Sequence, residues 1–173
     1  MPLTKSELRS QLKHARLEIL PSEHRMASQS IVDGLQSVLD WSKIKNLHVF
    51  EPILILAEPD INTFITDLED KNVNIKIFSP RLIENDWEII GINGSQPPDN
   101  FDLVVVPMLG FDPKTLHRIG YGGGYYDKFL ATQPEAQKVG VCFEIGNTSD
   151  LPTEKHDIAL DLIITEKQVY RSK

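Results

Sequence analysis

Apolar positions along this chain recur with two different periods, and the switches between them predict a layered α/β protein. Near the start, Leu8, Leu12 and Ala15 share a helical face. Thr4-Lys5-Ser6-Glu7 precedes them as a capping box, in which Thr4 accepts from the Glu7 N–H and Glu7 reaches back. Pro21-Ser22 breaks that pattern and opens a second helix, with Ala27, Ile31, Leu35 and Val38-Leu39 as its buried stripe. The period then shortens. Strand-like runs follow at Leu47 to Phe50, Val73 to Phe78, Leu103 to Val106, Val139 to Phe143 and Leu162 to Ile164. Helices are expected between the first two runs, over Ile61 to Leu68, and between the third and fourth, over Tyr125 to Ala131. Trp87 to Ile90 reads as a short extra edge strand, and Ser95 to Asn100, with Pro97-Pro98, as a loop. Strands alternating with helices imply βαβ units. The expected fold class is α/β: a three-layer α/β/α, Rossmann-like arrangement with a mostly parallel central sheet, in a single domain over residues 1–173.

Composition narrows the function classes. The 173 residues include 40% hydrophobic positions, enough for a core, and carry a formal net charge of -7. With no long basic run, broad nucleic-acid or membrane-surface binding is not expected, while a local basic pocket stays open. Cys142, the one cysteine, excludes an internal disulfide or a thiolate zinc cluster, and its apolar setting reads as a packed thiol. There is no signal-peptide pattern and no bilayer-spanning run, so a cytoplasmic protein is the expectation. A monomer is expected as well.

The densest chemistry lies in Arg118-Ile119-Gly120-Tyr121-Gly122-Gly123-Gly124-Tyr125-Tyr126-Asp127, between the strand-like run ending at Val106 and the helix through Leu130. Glycines without a Cβ let a phosphate reach backbone N–H groups, and the helix start that follows favours an anion. Arg118 adds charge, and Asp127 a carboxylate suited to phosphate-bound Mg²⁺. Tyr121 and Tyr125 flank the glycines, where a ring can face a flat ligand, whereas Tyr126 shares a helical face with Phe129 and Leu130 and reads as packing. The loop is neither a Rossmann fingerprint, whose third glycine would fall at Tyr125, nor a Walker A loop, since no Gly-Lys-Ser/Thr follows.

Gly110-Phe111-Asp112, followed by the stretch from Arg118 to Asp127, resembles the signature of 5-formyltetrahydrofolate cyclo-ligases, also called methenyltetrahydrofolate synthetases. Lys5-Ser6-Glu7-Leu8-Arg9 is similar to that family's opening, and His156 to Thr165 to its closing strand with preceding aspartates. Two departures stand out. Thr115 holds a position where the family has glycine, with Arg118 one residue late, and the middle region from Arg81 to Asn100 is short.

The resemblance implies ATP-driven closure of 5-formyltetrahydrofolate to 5,10-methenyltetrahydrofolate, with ADP and phosphate released and Mg²⁺ required. It implies that Lys5 and Arg9 contact the ATP phosphates, which Arg118, Ile119, Gly120, Tyr121, Gly122, Gly123, Gly124, Tyr125 and Tyr126 cradle. Arg118 and Tyr125 take the catalytic roles, and Asp127 and Asp161 the metal. The folate falls to Asp60, Tyr121, Gly122, Gly123, Gly124 and Tyr125. The residues alone leave simpler readings open: Lys5 and Arg9 as solvated cations, Asp60 as the cap of a helix starting at Ile61, and Asp161 as a strand-start residue. Two alternatives to the ligase also stay open, a nucleotide- or folate-binding relative without turnover and a sugar-phosphate enzyme on a similar scaffold.

Overall fold

The computed structural model describes residues 3–71, 74–92, 94–149 and 151–172. Helix α1 (Lys5–Leu17) starts as its capping box dictates: the Glu7 N–H donates to Thr4 Oγ1 at 3.3 Å and the Thr4 N–H to Glu7 Oε2 at 2.9 Å. Its buried face is Leu8, Leu12 and Arg16, with Arg16 taking the place expected for Ala15. Helix α2 (Pro21–Val38) has proline in its first turn and buries Ser28, Ile31, Val32 and Leu35. After strand β1 (Asn46–His48), helix α3 (Asn62–Lys71) leads to β2 (Lys76–Ile83) and β3 (Asp86–Gly91). Val73, expected to open the second strand, lies outside the described residues. Then come β4 (Leu103–Pro107), a hairpin of β5 (Gly110–Phe111) and β6 (Arg118–Ile119), helix α4 (Tyr125–Ala131), β7 (Gln137–Val141), β8 (Leu162–Ile164) and β9 (Val169–Arg171).

Among the described residues, seven strands form one sheet in the order β3-β2-β1-β4-β7-β8-β9. The five inner strands are parallel, and β3 and β9 close the two edges antiparallel. Side chains alternate across β4. Leu103 and Val105 enter the core under α2 and α3, while Val104 and Val106 enter the core under α4. All four are fully buried, so both sheet faces are covered, as expected of a parallel sheet. Each such side chain contributes about 1.5–3 kcal/mol by leaving water.

Helix α1 covers neither sheet face. Leu8 and Leu12 pack with Leu109, Ile119 and Leu151, against the hairpin. The glycine segment therefore does not run directly from the third strand. It leaves from β6, after the chain has turned back through the hairpin. The altered turn within that hairpin is held by Asp112, whose Oδ1 accepts the Lys114 N–H at 2.8 Å and the Thr115 N–H at 3.4 Å. Leu116 absorbs the extra residue at φ 56 with its side chain fully buried. Among the described residues, no helix is long and apolar enough to cross a membrane.

Candidate functional site

From β1 the chain steps outward to β2 on one side, while β4 begins the other half, so strand order reverses between β1 and β4. Loops leaving the carboxyl ends of those strands diverge there, and a crevice opens. A cleft of about 620 Å³ occupies this place, lined by Phe50 and Glu51 after β1, Pro107 at the end of β4, residues 118–127, and Lys5 and Arg9 of α1.

The glycine loop takes its path from backbone freedom. Gly122 has φ 102 and Gly124, the residue capping α4, has φ 68, both in the region that costs other residues energy. Space around Gly123 is open: a Cβ built there meets nothing within 4 Å. The Arg9 guanidinium lies against Gly122, where a Cβ would be 3.4 Å from Arg9 Cζ, and Arg9 Nε donates to the Gly120 carbonyl at 3.0 Å. Helix α4 has only seven residues, so an anion in this cleft would meet the loop's own N–H groups and the surrounding cations.

Those cations are already partnered. Arg118 is 8% exposed; Nη1 donates to the Ile158 carbonyl at 2.7 Å and Nη2 to Asp127 Oδ1 at 2.6 Å. Lys5 Nζ bridges Asp157 Oδ2 at 2.7 Å and Glu154 Oε1 at 2.9 Å. Burial works to raise the Asp157 carboxyl, but Lys5 and the Glu154 N–H outweigh it and hold it below the usual range. Burial likewise works to lower Lys5, and its two carboxylates raise it instead. The result is a charged wall of alternating sign beside the glycine loop.

Two expected site residues lie elsewhere. Asp161 stands at the amino end of β8, where Oδ2 accepts the Lys138 N–H at 2.6 Å, and it does not line the cleft. It acts as a strand-start residue at the amino ends of β7 and β8, opposite the carboxyl ends where the glycine loop lies, so the metal expectation for it does not fit. Asp157, four residues earlier, lines the cleft with Asp127. Asp60 also does not line the cleft; its Oδ1 accepts the Asn62 N–H at 3.0 Å and caps α3. The cap reading describes its geometry, and the folate expectation does not. The other expected residues, 118–126 with Lys5 and Arg9, all line the cleft.

The sequence reading missed Glu58. The residue is 2% exposed; its carboxylate accepts the Ile53 N–H at 2.7 Å and faces the Tyr121 hydroxyl inside the cleft. The signal was an acidic residue directly after the apolar stretch Pro52-Ile53-Leu54-Ile55-Leu56-Ala57. Arg16 was missed as well. This buried guanidinium donates to the Met108 carbonyl at 3.3 Å and to the Tyr121 hydroxyl. Burial, then the Glu58 charge, raises the Tyr121 phenol, so it stays protonated. Burial pushes Tyr125 up to about 12. The Tyr126 hydroxyl is enclosed without a hydrogen-bond partner among the described residues, although the residue also touches the cleft. Beneath them lies His48, fully buried, with its Nε2 3.4 Å from the Tyr125 hydroxyl and its ring 4.5 Å from that of Phe129.

No group of three or more His, Cys, Asp or Glu is arranged to hold a metal by itself among the described residues. Asp127 and Asp157 suit the lighter requirement of Mg²⁺, which takes one or two carboxylates and completes its shell with water and substrate phosphates. The cleft can thus hold a polyphosphate on its charged side. On the other side, Phe50, Ile53, Leu56 and Pro80 offer apolar surface, with Glu58 as an acceptor among them.

Comparison with known proteins points the same way. The model of the 5-formyltetrahydrofolate cyclo-ligase family matches residues 92–166. A 5-formyltetrahydrofolate cyclo-ligase from Mycoplasma genitalium is 31% identical over 159 residues, 88% of this chain and 91% of the relative. One from Mycoplasma pneumoniae is 29% identical over 171 residues, 95% of this chain and all of the relative (100%). Among solved structures, a 5,10-methenyltetrahydrofolate synthetase from Mycoplasma pneumoniae superposes with a TM-score of 0.83 at 27% identity, covering 95% of this chain and 99% of the other. One from Aquifex aeolicus gives 0.82 at 26% identity, covering 98% and 93%.

Proposed function

Because this chain belongs to the 5-formyltetrahydrofolate cyclo-ligase family, we propose that its cleft closes 5-formyltetrahydrofolate to 5,10-methenyltetrahydrofolate, with ATP consumed and ADP and phosphate released. The observation that carries this reading is the division of one cleft into a charged glycine-loop side, where Lys5, Arg9 and Arg118 stand among Asp127, Glu154 and Asp157, and an apolar side with a buried acceptor, Glu58. The reaction needs both, side by side.

The chemical difficulty is a poor electrophile. The N5 formyl group is an amide, and its oxygen leaves badly. That oxygen attacks the γ-phosphorus of ATP; the bond to the bridging oxygen breaks and ADP departs. The formyl carbon becomes an iminium carrying a phosphate. N10 attacks it, loses its proton, and phosphate leaves with the C–O bond. Nothing here requires a protein nucleophile, so catalysis lies in positioning and charge stabilisation.

Each residue then has a defined task. Backbone N–H groups of Gly122, Gly123 and Gly124 surround the phosphates, with Arg9 buttressing the loop from α1. Arg118, fixed by Asp127 and the Ile158 carbonyl, faces the transferring group. Lys5 exchanges part of its carboxylate pairing for phosphate contact. Asp127 and Asp157 would hold Mg²⁺, which supplies neutralisation of phosphate charge. Tyr125, protonated at neutral pH, positions substrate through its hydroxyl and does not serve as a base. Glu58 accepts from the amide-like N–H groups of the pterin, beside the Tyr121 hydroxyl that Arg16 holds in place.

The test mixes purified protein with ATP, Mg²⁺ and 5-formyltetrahydrofolate and follows the absorbance of methenyltetrahydrofolate. The expected result is a rise that requires all three. Binding of both substrates in a calorimeter with no rise would make the chain a binding relative and overturn the catalytic reading.

A further inference from the structure

Trp87 also lines the cleft and is 48% exposed. Its place is built rather than incidental. Glu84 and Asn85, at φ 48 and 70, form a two-residue turn that folds β3 back on β2 and sets Trp87 opposite Leu82. The indole centroid lies 5.3 Å from the Tyr125 ring, tilted by 43°. Tyr125 is itself stacked on Phe129 at 5.7 Å and 13°. The indole is thus held on a rigid aromatic base, with the rest of its surface open to the cleft.

An exposed aromatic surface in a pocket wants a flat partner, and the proposed reaction offers two, adenine and the folate's aryl system. Position decides between them. Tyr125 follows Gly124 directly, at the loop where the reacting phosphate lies in the function proposed above. In the folate, the aminobenzoyl ring is bonded to N10, one of the two atoms that close on the reacting carbon. In ATP, adenine stands a ribose and the whole triphosphate away from that carbon. A ring seated on Tyr125 is therefore near the N10 substituent.

We propose that Trp87 is a specificity-determining residue that stacks on the aminobenzoyl ring of the reduced folate. Resting on the reading above, this assigns the short β2–β3 hairpin the task of closing one wall of the folate side.

The chain has two tryptophans, and Trp41 lies away from the cleft, its indole N–H donating to the Gln36 carbonyl at 3.2 Å. Fluorescence is therefore a direct readout. Adding 5-formyltetrahydrofolate without ATP is expected to quench the native chain and to leave Trp87→Phe, which reports Trp41 alone, almost unchanged. ATP–Mg²⁺ alone is expected to quench neither. In turnover, Trp87→Ala should raise KM for the folate about tenfold and KM for ATP less than about twofold, with Trp87→Phe restoring most of the loss. Quenching by ATP and not by folate, or an effect on KM for ATP alone, would assign Trp87 to adenine and overturn the proposal. If the folate binds and turns over with Trp87 emission unmoved, this inference fails while the functional reading stands. If calorimetry finds no folate binding, both fail.

Discussion

Two aspartates four residues apart separate what a motif suggests from what geometry assigns. In sequence, Asp157 and Asp161 are both acidic residues ahead of an apolar strand, and nothing local says which reaches the glycine loop. In the fold, Asp161 ties the starts of β7 and β8 together, while Asp157 holds Lys5 inside the cleft. Asp157→Asn should lower kcat by about 10²-fold and raise the Mg²⁺ concentration needed, since it removes charge from the phosphate side. Asp161→Asn should instead cost about 1–2 kcal/mol of stability through a weakened backbone acceptor, with kcat retained. Steady-state rates against Mg²⁺, beside denaturant melts, separate the two; equal losses of activity would sink the assignment. Glu58 and Asp60 teach the same lesson. Asp60, expected at the folate, caps a helix, and the acceptor two positions earlier lines the cleft. A lone carboxylate shows no direction in sequence, because direction comes from the turn that carries it.

The glycine loop behaves as an element whose positions differ in kind. Gly122 sits at φ 102 with Arg9 against it, whereas Gly123 carries no such strain and faces open space. Gly122→Ala should therefore destabilise the fold, by about 1 kcal/mol from the backbone alone, and displace Arg9. Gly123→Ala should leave stability within about 0.5 kcal/mol, yet raise KM for ATP about tenfold by placing a methyl where phosphate approaches. Thermal melts together with KM for ATP check the contrast; a destabilised Gly123→Ala of unchanged KM would refute it. The hairpin that delivers this loop was not legible, being two residues in each strand. Its altered turn keeps Arg118 in register because Leu116 takes the positive φ and buries its side chain. That compensation depends on a tertiary pocket, which no local pattern records.

At the scale of the whole molecule, the parallel sheet and its helices were readable because burial on both faces leaves unbroken apolar runs such as Leu103 to Val106. Strand β9 was missed: three residues with one face partly open carry almost no period. What also escaped notice is that the sheet buries a histidine under the site. His48 reads as the polar member of an alternating strand, yet it is fully enclosed by Phe101, Tyr125, Tyr126 and Phe129. Burial drives it down to about 3 from 6.5, so it is neutral in the folded chain. Tyr125 and Tyr126 are both raised and stay neutral beside it. The unfolded chain takes up a proton as pH falls below 6.5 and the folded chain does not, so stability falls with pH until the folded value is reached. Asp157 also loses its contribution on acidification, but only within and below the carboxylate range. Between about pH 6.5 and 4.5, His48 should thus cost roughly 2–3 kcal/mol, a fall in Tm of roughly 5–10 °C for a chain of this size. His48→Phe, surrounded by rings of its own kind, should flatten that window while the drop below pH 4 remains. Melts of both proteins across the range decide it, and parallel slopes would mean that the acid sensitivity arises elsewhere in the molecule.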